Sequence, residues 1–287
     1  MHFVSFQILN GLTMGALLFF LASGLTVVFG LMRVLNLSHG VLFLLGGYVG
    51  LTVQRITGSF WLAVLAGLLI AGVVGLILQQ SFTRTLLGSS FNQVLLTLGV
   101  AFILNNLILI IWGGVPERIP PPPVFDHSVS IMGVTYPLYR LFLIVLAFGA
   151  GLALWLFWER SRAGSVVRAC VDDRPMAAAM GIRVDIIFVA VFAVGAALSG
   201  LAGVLGGPVF GLAIGLDFDV LLLAVVVVMV GGVGSLGGAF VGSMLIGLLD
   251  TFGKAYFPEL SYFTLFAPVV LILLLKPTGL FGRVVFE

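Results

Sequence analysis

The residues able to do chemistry are few and widely separated in this chain of 287 residues. His2, His39 and His127 lie far apart, and the single cysteine, Cys170, can form no internal disulfide. No H-E-x-x-H, C-x-x-C or G-x-S-x-G spacing occurs, so no zinc site or nucleophile–base set emerges. Lys254 is followed by Ala255 and Lys276 by Pro277, which removes the G-x-x-x-x-G-K-S/T loop that cradles nucleotide phosphates. Asp217, Asp219 and Asp250 fall near the ends of apolar runs, away from the mid-span positions typical of proton relays and ion sites. The expectation is a chain that is not an enzyme and binds neither metal nor cofactor itself.

Two polar or glycine-rich interruptions carry more information. In 24–50, Arg33, Asn36, Ser38 and His39 break an otherwise continuous apolar segment. Asn or Ser ahead of a fresh apolar run is an N-cap signal. A helix that starts at bilayer depth is tolerated only where protein or water satisfies its free N–H groups. Its partial positive charge suits carboxylates and carbonyls. On that reading Asn36, Ser38, His39 and Gly40 line a translocation path. The competing reading is an ordinary interfacial turn with His39 hydrogen-bonded in a loop. The second interruption, 225–243, holds Gly231, Gly232, Gly234, Gly237, Gly238 and Gly242, which fit close helix approach or a helix break. Gly195, Gly200, Gly203, Gly206 and Gly207 are most simply helix-packing positions.

The elements that position these residues follow from composition. Hydrophobic residues make up 61% and charged residues 8%, against about 25% charged in a soluble domain. This is the make-up of an integral membrane protein, and a net charge of +2 gives no nucleic-acid footprint. The start, MHFVSFQ, lacks the basic opening of a cleavable signal peptide, so the first run is expected to remain as a span. Charges then act as rulers. Residues 3–32, 34–54, 56–83 and 85–116 contain none, and Arg33, Arg55 and Arg84 divide them. Each gap exceeds the roughly 20 residues a helix needs to cross a membrane. Spans near 8–31, 35–54, 60–81, 92–112, 138–158, 186–206, 219–233, 238–253 and 260–276 fit best. The fold class expected is an all-α polytopic bundle of about eight or nine transmembrane helices with broken or re-entrant segments, forming one domain over 1–287. Period-two alternation is missing, which argues against a barrel.

Nine spans with the N-terminus outside put nine Lys/Arg residues inside and four outside, the bias of the positive-inside rule. Two loops stand out. The first, 113–137, falls outside and contains Pro116 and the run Pro120, Pro121, Pro122 and Pro123, expected to hold a stiff polyproline II segment. It reads either as a rigid connector or as a docking ledge for an external partner. The second, 159–185, falls inside and holds 9 of the 24 charges, five of them Arg. Within it Asp172 or Asp173 can cap a two-turn helix, Pro175 suits the first turn, and Met176, Ala177, Ala178, Ala179 and Met180 are good helix formers. Gly181 can close the helix ahead of Ile182. A short helix with a small Ala face fits a groove on another protein better than it fits a plain basic loop.

N-G-x-T-x-G at 10–15, G-L-T-V-V-F-G at 24–30, N-L-S-H-G at 36–40 with Gly47-Tyr48, R-A-C-V-D-D-R-P-M-A-A-A-M-G-I at 168–182 and G-G-V-G-S-L-G-G at 231–238 occur in this order. Together they resemble the branched-chain amino acid ABC transporter permeases, across nearly the whole chain. The resemblance implies an all-helical permease in a bacterial inner membrane. It also implies a second, similar permease (a heterodimer), two cytoplasmic ATP-binding subunits that hold ATP and Mg²⁺, and a periplasmic substrate-binding protein. By the same resemblance, Asp172 to Ile182 would be the coupling segment in the ATPase groove. The loop around Pro120 would face the binding protein, and Asn36, Ser38 and His39 would lie near the path. Within that class, urea, short amides or aromatic acids are alternative solutes. A passive channel or secondary transporter is the alternative class, for which no ion site in the bilayer is evident.

Overall fold

In the computed structural model of the chain, residues 2–32, 36–80, 90–131 and 134–282 are described. Arg33, Arg84 and Arg283, which help to measure the spans and to weight one face with charge, lie outside these residues. The helices are α1 (His2–Met32), α2 (Ser38–Thr57), α3 (Phe60–Leu78), α4 (Ser90–Trp112), α5 (Leu138–Arg160), α6 (Arg162–Asp172), α7 (Arg174–Ala179), α8 (Val184–Phe210), α9 (Leu216–Gly231), α10 (Leu236–Tyr256) and α11 (Ser261–Leu275). Eight helical segments among the described residues are long and apolar enough to cross a membrane. The ninth apolar helix, α9, has 16 residues. At about 1.5 Å per residue it is too short for a hydrocarbon core of about 30 Å.

Burial grades the helices from centre to rim. The most apolar stretch of α1 is 83% buried, whereas those of α5 and of the α11 segment are 11% buried. Rim helices turn large apolar side chains outward, among them Ile103 and Ile110 of α4, Val145 of α5 and Leu274 of α11. In water this would be an aggregation surface; against acyl chains it is the proper solvent. Lipid supplies no hydrophobic force between helices, so they associate by close packing. Glycines provide it: Gly24 of α1 meets Gly195 of α8, Gly46 of α2 meets Gly200, and Gly247 of α10 lies against Gly11 and Gly15 of α1.

The late glycine cluster does both things expected of it. Gly232 and Gly234 adopt positive φ (101° and 76°) and break the chain between α9 and α10. Gly231 and Gly238 press together across that break. Ser235 restarts the helix, its Oγ accepting from the Gly238 N–H at 3.0 Å.

The 113–137 segment departs from the polyproline expectation. Pro122 has φ −59° and ψ 139°, as in polyproline II, but Pro123 opens a 3₁₀ turn, Pro123–Phe125. An antiparallel hairpin follows, β1 (Ser128–Ile131) with β2 (Val134–Pro137), a small exception to an all-helical fold. Tethers replace stiffness as the ordering device. Gln54 Nε2 donates to the Pro120 carbonyl at 2.9 Å, Arg55 pairs with Glu117 at 2.7 Å, and Ile119 is fully buried against Gly207. Glu117 also forms a two-way backbone bridge with Leu212, at 2.9 and 2.7 Å.

Candidate functional site

The polar interruption at 36–40 lies deep within the protein. Asn36, Ser38 and His39 are between 1% and 4% exposed, and Gly40 is buried. Asn36 Oδ1 accepts from the Ser38 N–H at 3.0 Å and from Ser38 Oγ at 2.6 Å. The side chain therefore caps α2 from one residue further out than a standard N-cap, where Leu37 stands without a side-chain bond. His39 Nε2 faces the Leu21 carbonyl of α1 at 3.2 Å, which requires the proton on Nε2 in the neutral ring. Ser199 Oγ of α8 donates to the His39 carbonyl at 2.7 Å. His39 thus ties the start of α2 to two other helices.

A second helix begins beside the first. Asp217, in the first turn of α9, is 2% exposed. Its Oδ2 accepts from Asn105 Nδ2 of α4 at 2.7 Å, and its Oδ1 from the Gly215 N–H at 3.2 Å. A Cβ on Gly40 would collide with the Asp217 carbonyl and with Leu221, so the first turns of α2 and α9 touch only because residue 40 is glycine. The depth follows from α4. Thr97 Oγ1 accepts from the Leu37 N–H at 3.2 Å at one end of α2, and Trp112 Nε1 donates to Thr52 Oγ1 at 2.7 Å near the other. Asn105 lies between these levels, so α9 starts inside the bundle. The sequence places Asp217 at a span end; it is at a span end, but that end is internal.

The site therefore consists of two buried helix N-termini in contact through Gly40, with one carboxylate and several amides around them. Asn36 Nδ2 and Asn105 Oδ1 have no hydrogen-bond partner, an uncommon state for buried amides. Such a site can offer donors and an acceptor to a small polar solute or to water. It shows no group of three or more His, Cys, Asp or Glu able to hold a metal among the described residues. Asn105, Thr97 and Ser199 were not among the sequence candidates. Their signal was present, since each is a polar residue inside an apolar helix.

The 172–182 segment lies apart from this interior, at the end of the bundle where α5, α6 and α8 meet. Asp173, not Asp172, is the N-cap of α7; its side chain accepts from the Met176 N–H at 2.9 Å, and Pro175 occupies the first turn. Asp172 is the last residue of α6. Gly181 has φ 84°, its N–H bonds the Ala178 carbonyl at 3.0 Å, and the Ile182 N–H bonds the Ala177 carbonyl at 3.1 Å. This is a Schellman closure. The helix is six residues, shorter than two turns, and its alanines divide: Ala177 is buried against the bundle while Ala178 and Ala179 are exposed. Met176 and Met180 are 60% and 77% exposed. Arg174 anchors the helix, 3.4 Å from Asp185 and stacked 4.7 Å from the centre of the Phe188 ring. Cys170 beneath it is buried; burial pushes its thiol up, and nearby Arg174 pulls it part of the way back.

Pro116, Pro120 and Pro123 are exposed, Pro121 is half-buried and Pro122 is buried. The prolines, the α7 segment and the two buried N-termini thus occupy three separate places: one end, the other end, and the interior between them.

The family model described as "Branched-chain amino acid transport system / permease component" matches residues 7–275. The permease protein BraD of a high-affinity branched-chain amino acid transport system of Pseudomonas aeruginosa is 29% identical, over 96% of this chain and 95% of that one. The corresponding LivH of Escherichia coli K12 is 30% identical over the same shares. A probable branched-chain amino acid transport permease of Methanocaldococcus jannaschii is 26% identical over 93% and 89%. Among solved structures, PsaBC from Streptococcus pneumoniae aligns with 93% of this chain and 89% of its own, at TM-score 0.49 and 14% identity. A multi-pass helical bundle, broken helices at its centre and a match running almost end to end lead to one conclusion: the chain belongs to the permease-component family of branched-chain amino acid transport systems.

Proposed function

We propose that this chain is the membrane subunit of an ATP-driven importer that moves branched-chain or related aliphatic amino acids across the inner membrane. The observation that carries the reading is α7. It is a short helix closed at both ends, fixed to the bundle by Ala177 and Arg174, and otherwise facing outward with two methionines and two alanines. Pliable methionine surfaces suit a docking helix. A partner ATPase groove that moves α7 would act through Ala177, which packs in one apolar cluster with Leu31 of α1 and Phe188 of α8.

The remaining assignments complete that picture. The charge bias favours the N-terminus outside and the C-terminus inside. The Pro120 loop then meets a substrate-binding protein, and 172–182 meets two ATP-binding subunits that carry ATP and Mg²⁺. A second permease, similar but distinct, completes the path. Asn36, Ser38, His39 and Gly40, joined by Asn105 and Asp217, lie beside that path. Transport requires the two conformations to differ in affinity for solute and for nucleotide-bound partner, since equal binding shifts no equilibrium.

The test is ATP-dependent leucine uptake by the assembled importer in proteoliposomes. Gly181→Pro imposes φ near −65° where the helix closure needs 84°, and Ala178→Asp places a charge on the exposed face. Uptake should fall by about tenfold or more, a loss of about 1.4 kcal/mol or more in coupling. Normal uptake in both variants would remove the coupling role of α7.

A further inference from the structure

A cavity of about 420 Å³ opens between α1, α5, α8 and α10, at the end of the bundle that carries the Pro120 loop. It is separate from the buried N-termini and within the range of small-molecule sites. Its wall includes Asn10 and Thr13 of α1, Arg140 of α5, Phe210 of α8, and Asp250 and Lys254 of α10. We propose that this cavity is a binding site for an α-amino acid, with Arg140 taking the carboxylate and Asp250 the ammonium.

Arg140 carries the argument. Its Nη1 donates to Asn10 Oδ1 at 2.8 Å, and among the described residues no carboxylate lies within ion-pair distance of it. The Tyr136 hydroxyl also meets the guanidinium, and the N–H groups left over can form the two-pronged contact that a carboxylate accepts. Arg140 also sits in the first turn of α5, where the helix dipole adds positive potential and does not offset it. The guanidinium is held in place from behind, because Tyr136 OH also donates to Asn10 Oδ1 at 3.0 Å and meets Thr13 Oγ1 at 3.0 Å.

Asp250 supplies the opposite charge. Its side chain is 9% exposed and bonds Lys254 Nζ at 2.7 Å, whereas Lys254 is 59% exposed and swings on a flexible stem. An ammonium entering the cavity can share the second carboxylate oxygen or displace the lysine outward. Phe210, Val209 and Met14 provide apolar wall for an aliphatic side chain. With one acid and two bases, the cavity favours a ligand that brings a carboxylate.

The inference rests on the amino-acid transport reading for its choice of ligand, but its test does not need transport. In the assembled importer in phosphatidylcholine nanodiscs, the rate of Arg140 modification by phenylglyoxal is followed by peptide mass spectrometry. Leucine at saturation should slow modification several-fold, and leucine amide, which lacks the carboxylate, should not. Asp250→Asn should raise the half-protecting concentration of leucine by about tenfold while leaving that of 4-methylpentanoate unchanged. Equal protection by leucine and its amide would overturn the proposal, as would an Arg140 that resists the reagent without ligand. Protection by inorganic phosphate or by added phosphatidylglycerol, without protection by leucine, would identify a phosphate site and overturn it too. Protection without ATP-driven leucine uptake would sink the transport reading alone; uptake without protection would sink only this one.

Discussion

Asp217 and Asn105 bind each other where neither has water to fall back on. A hydrogen bond to a charged group contributes about 1.5–3 kcal/mol, and a carboxylate left alone in the interior costs more than the bond was worth. Asn105→Leu is therefore expected to destabilise the purified permease by about 2–3 kcal/mol in detergent unfolding. The pair Asn105→Leu with Asp217→Leu should be less damaging than the sum of the single changes. A neutral Asn105→Leu would contradict the pairing. Sequence alone showed the carboxylate but not its depth. A string of residues reports that Asp217 ends one apolar run and begins another; it does not report that the chain turns back inside the bundle at Gly211 and Gly215, both at positive φ. The 36–40 cluster was legible because four polar or small residues interrupt one segment, whereas Asn105 was a lone amide inside α4.

Helix contacts depend on surface that is missing. At Gly46 a Cβ would run into the backbone of Gly200, so Gly46→Val must push α2 away from α8. The expected cost is about 1–3 kcal/mol or more, read as a lowered melting midpoint in size-exclusion thermostability assays. Gly237, which has nothing within 4 Å of a would-be Cβ, is the control. Gly237→Ala should stay within about 0.5 kcal/mol of neutral. Equal effects at the two positions would deny the close-packing role. Among elements, the long spans were readable from charge gaps, and the caps of α7 from Asp, Pro and Gly at their proper offsets. The orientation of α7 was not, because alanine at three successive positions carries no periodicity to mark its inner face. The hairpin in 113–137 was hidden for a related reason: the adjacent prolines dominated the local signal.

For the molecule as a whole, sidedness decides which partner meets which end. Ser128 and Ala179 are exposed at opposite ends of the bundle. Single cysteines introduced at these positions should label differently with a membrane-impermeant maleimide in intact cells. Ser128→Cys is expected to react at once, and Ala179→Cys only after permeabilisation; the reverse pattern would invert the topology. Cys170 need not be removed for this experiment. It is 2% exposed with its thiol pushed up by burial, so little thiolate exists near neutral pH, and its slow alkylation should quicken only as pH rises.

The Glu117–Leu212 bridge has a mechanical meaning. Leu212 is gripped on both sides of its peptide by Glu117 and again by Tyr48 OH, which donates to its carbonyl at 3.3 Å. Four residues later α9 begins. A load applied to the proline loop thus reaches the head of α9 through a strap of three residues, Ala213, Ile214 and Gly215. Pulling on the one rim of the protein is a way of steering the helix at its centre.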